Sequence, residues 1–218
     1  QIESVAVMHS PTQFNVPLNY GIDSFPRQAV MDGGDYRRFH LGTKAVPGSP
    51  PGDPFGGEGD SFLYYMGDQY VRYFIAQGDP DYDPMTFDPR NYAERIMEMS
   101  KLMDANSVDI EPFQQRSGKL ILVTGTVDTA VTPHNTIHYY NRLQEKFGEN
   151  ELRKFVRLYT IPGFGHGDGP FKATVDTLSA LDAWVVEGQA PGELIAADAN
   201  EQTRGRTRPV CVYPAYPQ

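Results

Sequence analysis

The segment from Gly118 to Gly188 constrains the fold more than any other part of the chain. Leu120–Val123 is a short, wholly apolar run bounded by Gly118 and Gly125, the pattern of a parallel strand buried on both faces. Thr132 then stands where a helix cap is expected, with Pro133 at the first helical position. Ile137, Tyr140, Leu143 and Phe147 fall on one face before Gly148 ends the helix. Phe155–Ile161 reads as the next strand, and Val175, Leu178, Leu181, Trp184 and Val185 mark a last helix ending at Gly188. Strand, helix, strand, helix at this spacing predicts an α/β fold: a parallel sheet with right-handed crossovers and helices on both faces. There is no internal repeat.

The chain before this segment is of another kind. Residues 1–60 are rich in Pro and Gly, with PGSPPGDPFGGEGD at 47–60 as the extreme, and predict an irregular covering segment with a short strand at Ser4–Met8. A boundary at 60 is expected, followed by a second region over 61–218. Ser61 caps a helix in which Phe62, Met66, Tyr70, Tyr73 and Phe74 recur at helical spacing, an aromatic stripe read as core. Asp88 and Pro89 open another, with Tyr92, Ile96, Met99 and Met103 on one face. Between them, Asp79, Asp81 and Asp83 alternate as calcium ligands can, but the glycine and distal glutamate of an EF-hand loop are missing and ordinary turns also collect Asp and Pro. The reading is therefore no metal.

Charge and length exclude several classes. The net charge is −9 and the acidic residues are dispersed, which disfavours nucleic acid, whose binding draws on clustered Lys and Arg. No apolar run approaches the roughly 18 residues of a membrane helix, and no signal peptide stands at the start. The chain begins at Gln1 instead of Met, as expected of a processed or trimmed product. Cys211 is the single cysteine, expected as a buried thiol or as a partner for a second chain.

Ligands of an open parallel sheet bind outside the carboxyl ends of its strands. Asp128 follows the first strand and His166 the second, in YTIPGFGHGDGPF at 159–171, so both belong to the same edge. The aspartate can hold the imidazole in one tautomer, and the histidine can then serve as general base and general acid. Gly163, Gly165 and Gly167 allow unusual backbone angles and leave the ring unshielded. Taken singly, Asp128 could just make an Asx-turn and His166 could be an exposed bystander. Their order is that of the last two triad members of α/β-hydrolases. No G-x-S-x-G occurs, and no serine sits on a strand-to-helix elbow, so the nucleophile is expected upstream of this chain.

GKLILVTGTVDTAVTPHNTIHYYNRL at 118–143, FVRLYTIPGFGHGDGP at 155–170, LSALDAWVVEGQAPGELIA at 178–196 and RTRPVCVYP at 206–214 resemble, in this order, the C-terminal half of the tannase and feruloyl esterase family. MGDQYVRYFIAQGDPDYDPMTFD at 66–88 is similar to the segment before that family's acid residue. The resemblance covers roughly residues 40–215. It implies the C-terminal part of an α/β-hydrolase with an inserted lid, cleaving esters of aromatic acids such as gallate or ferulate. Asp128 matches the triad acid and His166 the triad base. It further implies that the serine, the oxyanion hole and a lid calcium loop lie outside this chain, that the companion is an N-terminal chain cut from the same precursor, and that the enzyme is secreted or periplasmic. Many members carry a cysteine after the triad histidine, disulfide-bonded beside the serine; this chain has Gly167 there. Cys211 matches a family cysteine near the C-terminus.

For the acyl group, Tyr64, Tyr65, Phe164 and Trp184 are available aromatics; Phe164, in the histidine loop, is the one assigned to substrate and the others are expected in the core. Two other readings compete. A prolyl-oligopeptidase-type peptidase places Asp and His similarly, against which stand the RTRPVCVYP and DPDYDPMTFD segments. A non-catalytic binding protein on the same scaffold would need no nucleophile.

Overall fold

A computed structural model describes residues 2–29, 33–36, 39–41 and 61–216; the 47–60 stretch and most of the expected boundary region lie outside the described residues. In chain order the elements are α1 (Ile2–His9), β1 (Thr12–Gln13), β2 (Ser24–Phe25), α2 (Phe62–Tyr70) continuing into a π-turn (Val71–Ile75), α3 (Ala93–Met103), α4 (Glu111–Gln115) and β3 (Leu120–Gly125). They continue with α5 (Pro133–Phe147), α6 (Glu149–Leu152), β4 (Val156–Ile161), β5 (Ala173–Val175), α7 (Thr177–Val186), β6 (Leu194–Asp198) and β7 (Thr207–Val210). Two compact units form: residues 1–10, 26–34 and 107–218 in one, 11–25 and 35–106 in the other. The main division runs near 107, with the first ten residues and 26–34 joining the C-terminal unit.

In the C-terminal unit β3 and β4 pair in parallel, Leu120 opposite Val156 through Gly125 opposite Ile161. The tail beyond β7 bridges the other edge of β4, Tyr159 against Val212, while the other edge of β3 pairs with no strand among the described residues. The period of two along the strands separates two cores. Leu120, Leu122, Val156 and Leu158 pack with Tyr140 and Leu143 of α5. Ile121, Tyr159 and Ile161 pack instead with Phe171 and with Ala196 and Val210 of an antiparallel sheet ordered β5, β6, β7. Trp184 of α7 is buried, with the Arg157 guanidinium 5.0 Å and the Lys119 ammonium 5.4 Å from its ring centroid. The parallel β3–β4 pair joined through α5 gives the α/β architecture expected.

Several expectations are corrected in detail. Ser4–Met8, expected as a strand, lies within helix α1, whose hydrogen bonds are made within its own backbone. Val175 ends β5, and α7 starts after it, capped by Asp176, whose Oδ1 accepts from the Ser179 N–H; Leu178 and Val185 are exposed. Thr132 occupies the cap position of α5 but donates its hydroxyl to the Arg27 carbonyl at 2.7 Å, tying residues 26–29 to this helix start.

In the other unit Ser61 caps α2, its Oγ accepting from the Tyr64 N–H at 3.1 Å. The aromatic stripe is not core: Met66, Tyr70, Tyr73 and Phe74 are exposed, and Tyr65, Asp68, Ile75 and Ala76 are buried. The inward face carries Asp68 and Arg72 as an ion pair at 3.2 Å with Arg72 stacked 4.6 Å over Tyr82, so charged residues occupy positions that read as solvent. Asp88 caps a 3-10 turn, Pro89–Tyr92, that leads into α3, its Oδ1 accepting from the Arg90 N–H. Met99 is buried but Met103 is exposed.

Candidate active site

Because β3 and β4 are in register to their last residues, both following loops leave the same sheet edge at the same level. Asp128 stands three residues past Gly125 and His166 five past Ile161. His166 Nδ1 lies 3.0 Å from Asp128 Oδ2, and the side chains are 54% and 12% exposed respectively. The imidazole thus faces outward with the carboxylate behind it. Asp128 Oδ1 accepts from the Ala130 and Val131 N–H groups at 2.9 and 2.8 Å. The Asx-turn and the histidine contact are therefore both made, one by each oxygen. The turn fixes the carboxylate, and the carboxylate fixes the ring with its proton on Nδ1, leaving Nε2 as the atom for proton exchange.

Two further contacts bind the loops. Val127 N–H donates to the Phe164 carbonyl at 3.1 Å and Gly163 N–H to Thr126 Oγ1 at 3.1 Å. Gly163 and Gly167 have φ of 77° and 80°, the left-handed region expected for them; Gly165 does not, and a β-carbon there would meet Asp168 Oδ1 at 2.7 Å, a carboxylate that would have to turn aside. Gly34, unplaced by sequence, lies against the acid loop: a β-carbon on it would lie 2.4 Å from Thr129 Cγ2 and 3.1 Å from the Val127 carbonyl oxygen. The Gly33–Gly34 pair was the one sequence signal for this close approach.

An open cavity of about 490 Å³ lies at the pair, lined by Val123, Thr124, Asp128, Val131, Phe164 and His166 among others. Phe164 reaches both this cavity and the core around Phe171. Trp184 and Tyr65 are buried elsewhere in their own units and Tyr64 is partly buried. Among the described residues no serine lines the cavity. Asp79 and Asp83 each cap a turn, accepting from the Asp81 and Met85 N–H groups, and no group of three His, Cys, Asp or Glu side chains is placed to hold a metal among the described residues. Cys211 is partly exposed instead of buried, 3.9 Å from Glu193 Oε2.

The chain matches the family model described as tannase and feruloyl esterase over residues 63–218. It is 29% identical over 223 residues to an uncharacterized esterase of Agrobacterium fabrum, covering 100% of this chain and 39% of that relative. It is 38% identical over 114 residues to the mono(2-hydroxyethyl) terephthalate hydrolase of Piscinibacter sakaiensis, which is 50% of this chain and 19% of that protein. The crystal structure of feruloyl esterase B from Aspergillus oryzae superposes with a TM-score of 0.71 at 21% identity, covering 98% of this chain and 42% of that one. The chain thus spans about two fifths of the length of the first and third of these.

Proposed function

The chain belongs to the tannase and feruloyl esterase family, and from that membership we propose that it supplies the acid and base of a Ser-His-Asp triad in a carboxylic ester hydrolase acting on esters of aromatic acids. The contact between His166 Nδ1 and Asp128 Oδ2 carries this reading. His166 Nε2 takes the proton of a serine hydroxyl as its oxygen attacks the ester carbonyl, while Asp128 stabilises the imidazolium. The ring returns that proton to the leaving alcohol as the tetrahedral intermediate collapses to an acyl-enzyme. Water, deprotonated by the same nitrogen, then releases the acid and restores the serine.

The serine and the oxyanion hole come from a companion N-terminal chain of the same precursor. The edge of β3 left without a strand among the described residues supports such a companion, because an open edge is a pairing template. Phe164, with Val123 and Val131, gives the cavity an apolar aromatic wall suited to a phenolic acyl group. The names of the feruloyl esterase and terephthalate hydrolase relatives agree with that class. The complete enzyme is secreted or periplasmic, with any calcium held in its lid outside this chain.

Intact mass spectrometry of the natively purified, non-reduced enzyme with a fluorophosphonate tests the reading. One probe equivalent on a companion polypeptide, lost in His166→Ala, is expected. A single unlabelled 24.4 kDa species would withdraw it.

A further inference from the structure

We propose that the β6–β7 hairpin is the positioning device of the His166 loop, with Arg206, held by the buried Asp198, and Arg208, stacked on Phe171, holding that loop at its two ends. The inference rests on the reading of His166 as the catalytic base. The loop is closed at its neck by the Phe171 N–H donating to the Gly163 carbonyl at 3.0 Å and tightened inside by the Gly165 N–H donating to the Asp168 carbonyl at 2.8 Å. Its outward carbonyls are taken by the hairpin. Arg208 Nη1 donates to the Pro162 carbonyl at 2.8 Å, Arg206 Nη2 to the Pro170 carbonyl at 2.7 Å, and Asn200 Nδ2 to the Gly169 carbonyl at 3.1 Å.

These donors are themselves fixed. Asp198 Oδ1 accepts from the Lys172 and Asn200 N–H groups, and Oδ2 from Thr203 Oγ1 at 2.6 Å and Arg206 Nη2 at 2.7 Å. The fully buried ring of Phe171, at the end of the loop, lies under both guanidinium groups, 4.4 Å from that of Arg208 and 5.4 Å from that of Arg206. A β-carbon on Gly163 would come within 3.3 Å of Arg208 Nη1, so the loop entrance is fitted closely to this side chain.

The physical need is plain. A loop with four glycines between 163 and 169 is costly to order and brings few side chains with which to anchor itself. Guanidinium groups, planar and rich in donors, can hold its carbonyls from outside while also stacking on its terminal ring. Since a displacement of about 1 Å in a catalytic group can cost 10²-fold in rate, the clamp acts on turnover through His166.

The test uses the complete enzyme with Arg208→Ala and Arg208→Lys, read by steady-state kinetics and by amide hydrogen exchange. Arg208→Ala is expected to lower kcat about 10- to 100-fold with KM little changed, and to speed exchange at Gly163, Gly165 and Phe171. Arg208→Lys, which keeps a donor for the Pro162 carbonyl, recovers part of both. If Arg208→Ala does not fold, Asn200→Ala, which removes the contact to Gly169, is expected to give the same pattern more weakly. Unchanged kcat and unchanged loop exchange, with only a lower melting temperature, overturn the proposal. If the parent enzyme cleaves no ester, the functional reading fails, and the exchange rates still decide whether the hairpin holds the loop.

Discussion

Gly125 ends β3 directly against the Phe164 carbonyl: a β-carbon at that position would lie 2.1 Å from the oxygen and 2.6 Å from the carbon. Both neighbours are backbone, so neither can rotate aside. Gly125→Ala must therefore displace either the start of the acid loop or the histidine loop. The expected result is an overpacking cost of about 1–3 kcal/mol with a fall in kcat on the order of 10²-fold, checked by denaturant melts and steady-state kinetics.

Asp128→Asn separates the two tasks of this carboxylate. The amide oxygen still accepts from the Ala130 and Val131 N–H groups, so the turn survives. Its NH₂ faces His166 Nδ1, however, and favours the other tautomer of the ring. A fall in kcat of about 10³- to 10⁴-fold is expected, with stability changed by no more than about 1 kcal/mol. Unfolding on substitution, or an unaltered kcat, would contradict the division of roles.

The Asp128–His166 pair was legible because it follows from order and register: two strands, one crossover, and a polar residue just beyond each strand end. Arg206 and Arg208 were not, since they donate to backbone carbonyls 36 and 46 residues distant, which leave no pattern of side-chain types, and Asp198 was not, since it accepts in part from backbone N–H groups. The buried face of α2 was hidden for a different reason. Its Asp68 and Arg72 neutralise each other inside, so a periodicity that counts charges as solvent selects the exposed Met66, Tyr70, Tyr73 and Phe74. The helix at Ile2–His9 was missed because its described residues are exposed or half-buried, so no apolar face marks a helical period.

Acid should loosen the hairpin that holds the histidine loop. Burial raises the Asp198 pKa, but the bonds from Thr203, Asn200, Arg206 and Lys172 together outweigh it and hold the carboxyl well below the usual carboxylate range. A depressed folded-state pKa gives stability that is present above the unfolded value of about 3.9 and lost as pH falls below it. The melting temperature of the parent should thus exceed that of Asp198→Asn near neutrality and approach it toward pH 2. A constant difference across that range would count against the assignment.

Alkali should act through Tyr159. Its buried hydroxyl donates to the Gly192 carbonyl at 2.7 Å, and burial pushes its pKa up to about 12 against the opposing pull of Arg157. With the folded-state value raised, the contribution is intact below about pH 10 and is lost as pH rises toward 12. Tyr159→Phe should cost about 1–3 kcal/mol at pH 7 by stranding that carbonyl. The deficit should narrow between pH 10 and 12, as chemical denaturation at each pH can show.

The most direct test of the whole account is the hydrolysis of an aromatic ester such as methyl ferulate by the natively purified enzyme and by its His166→Ala variant. The account predicts a loss in kcat of at least about 10³-fold with KM nearly unchanged, since the proposed role of the imidazole is to move protons and not to hold the acyl group. Parent-level turnover in His166→Ala would contradict it and remove the catalytic role of the Asp128–His166 pair.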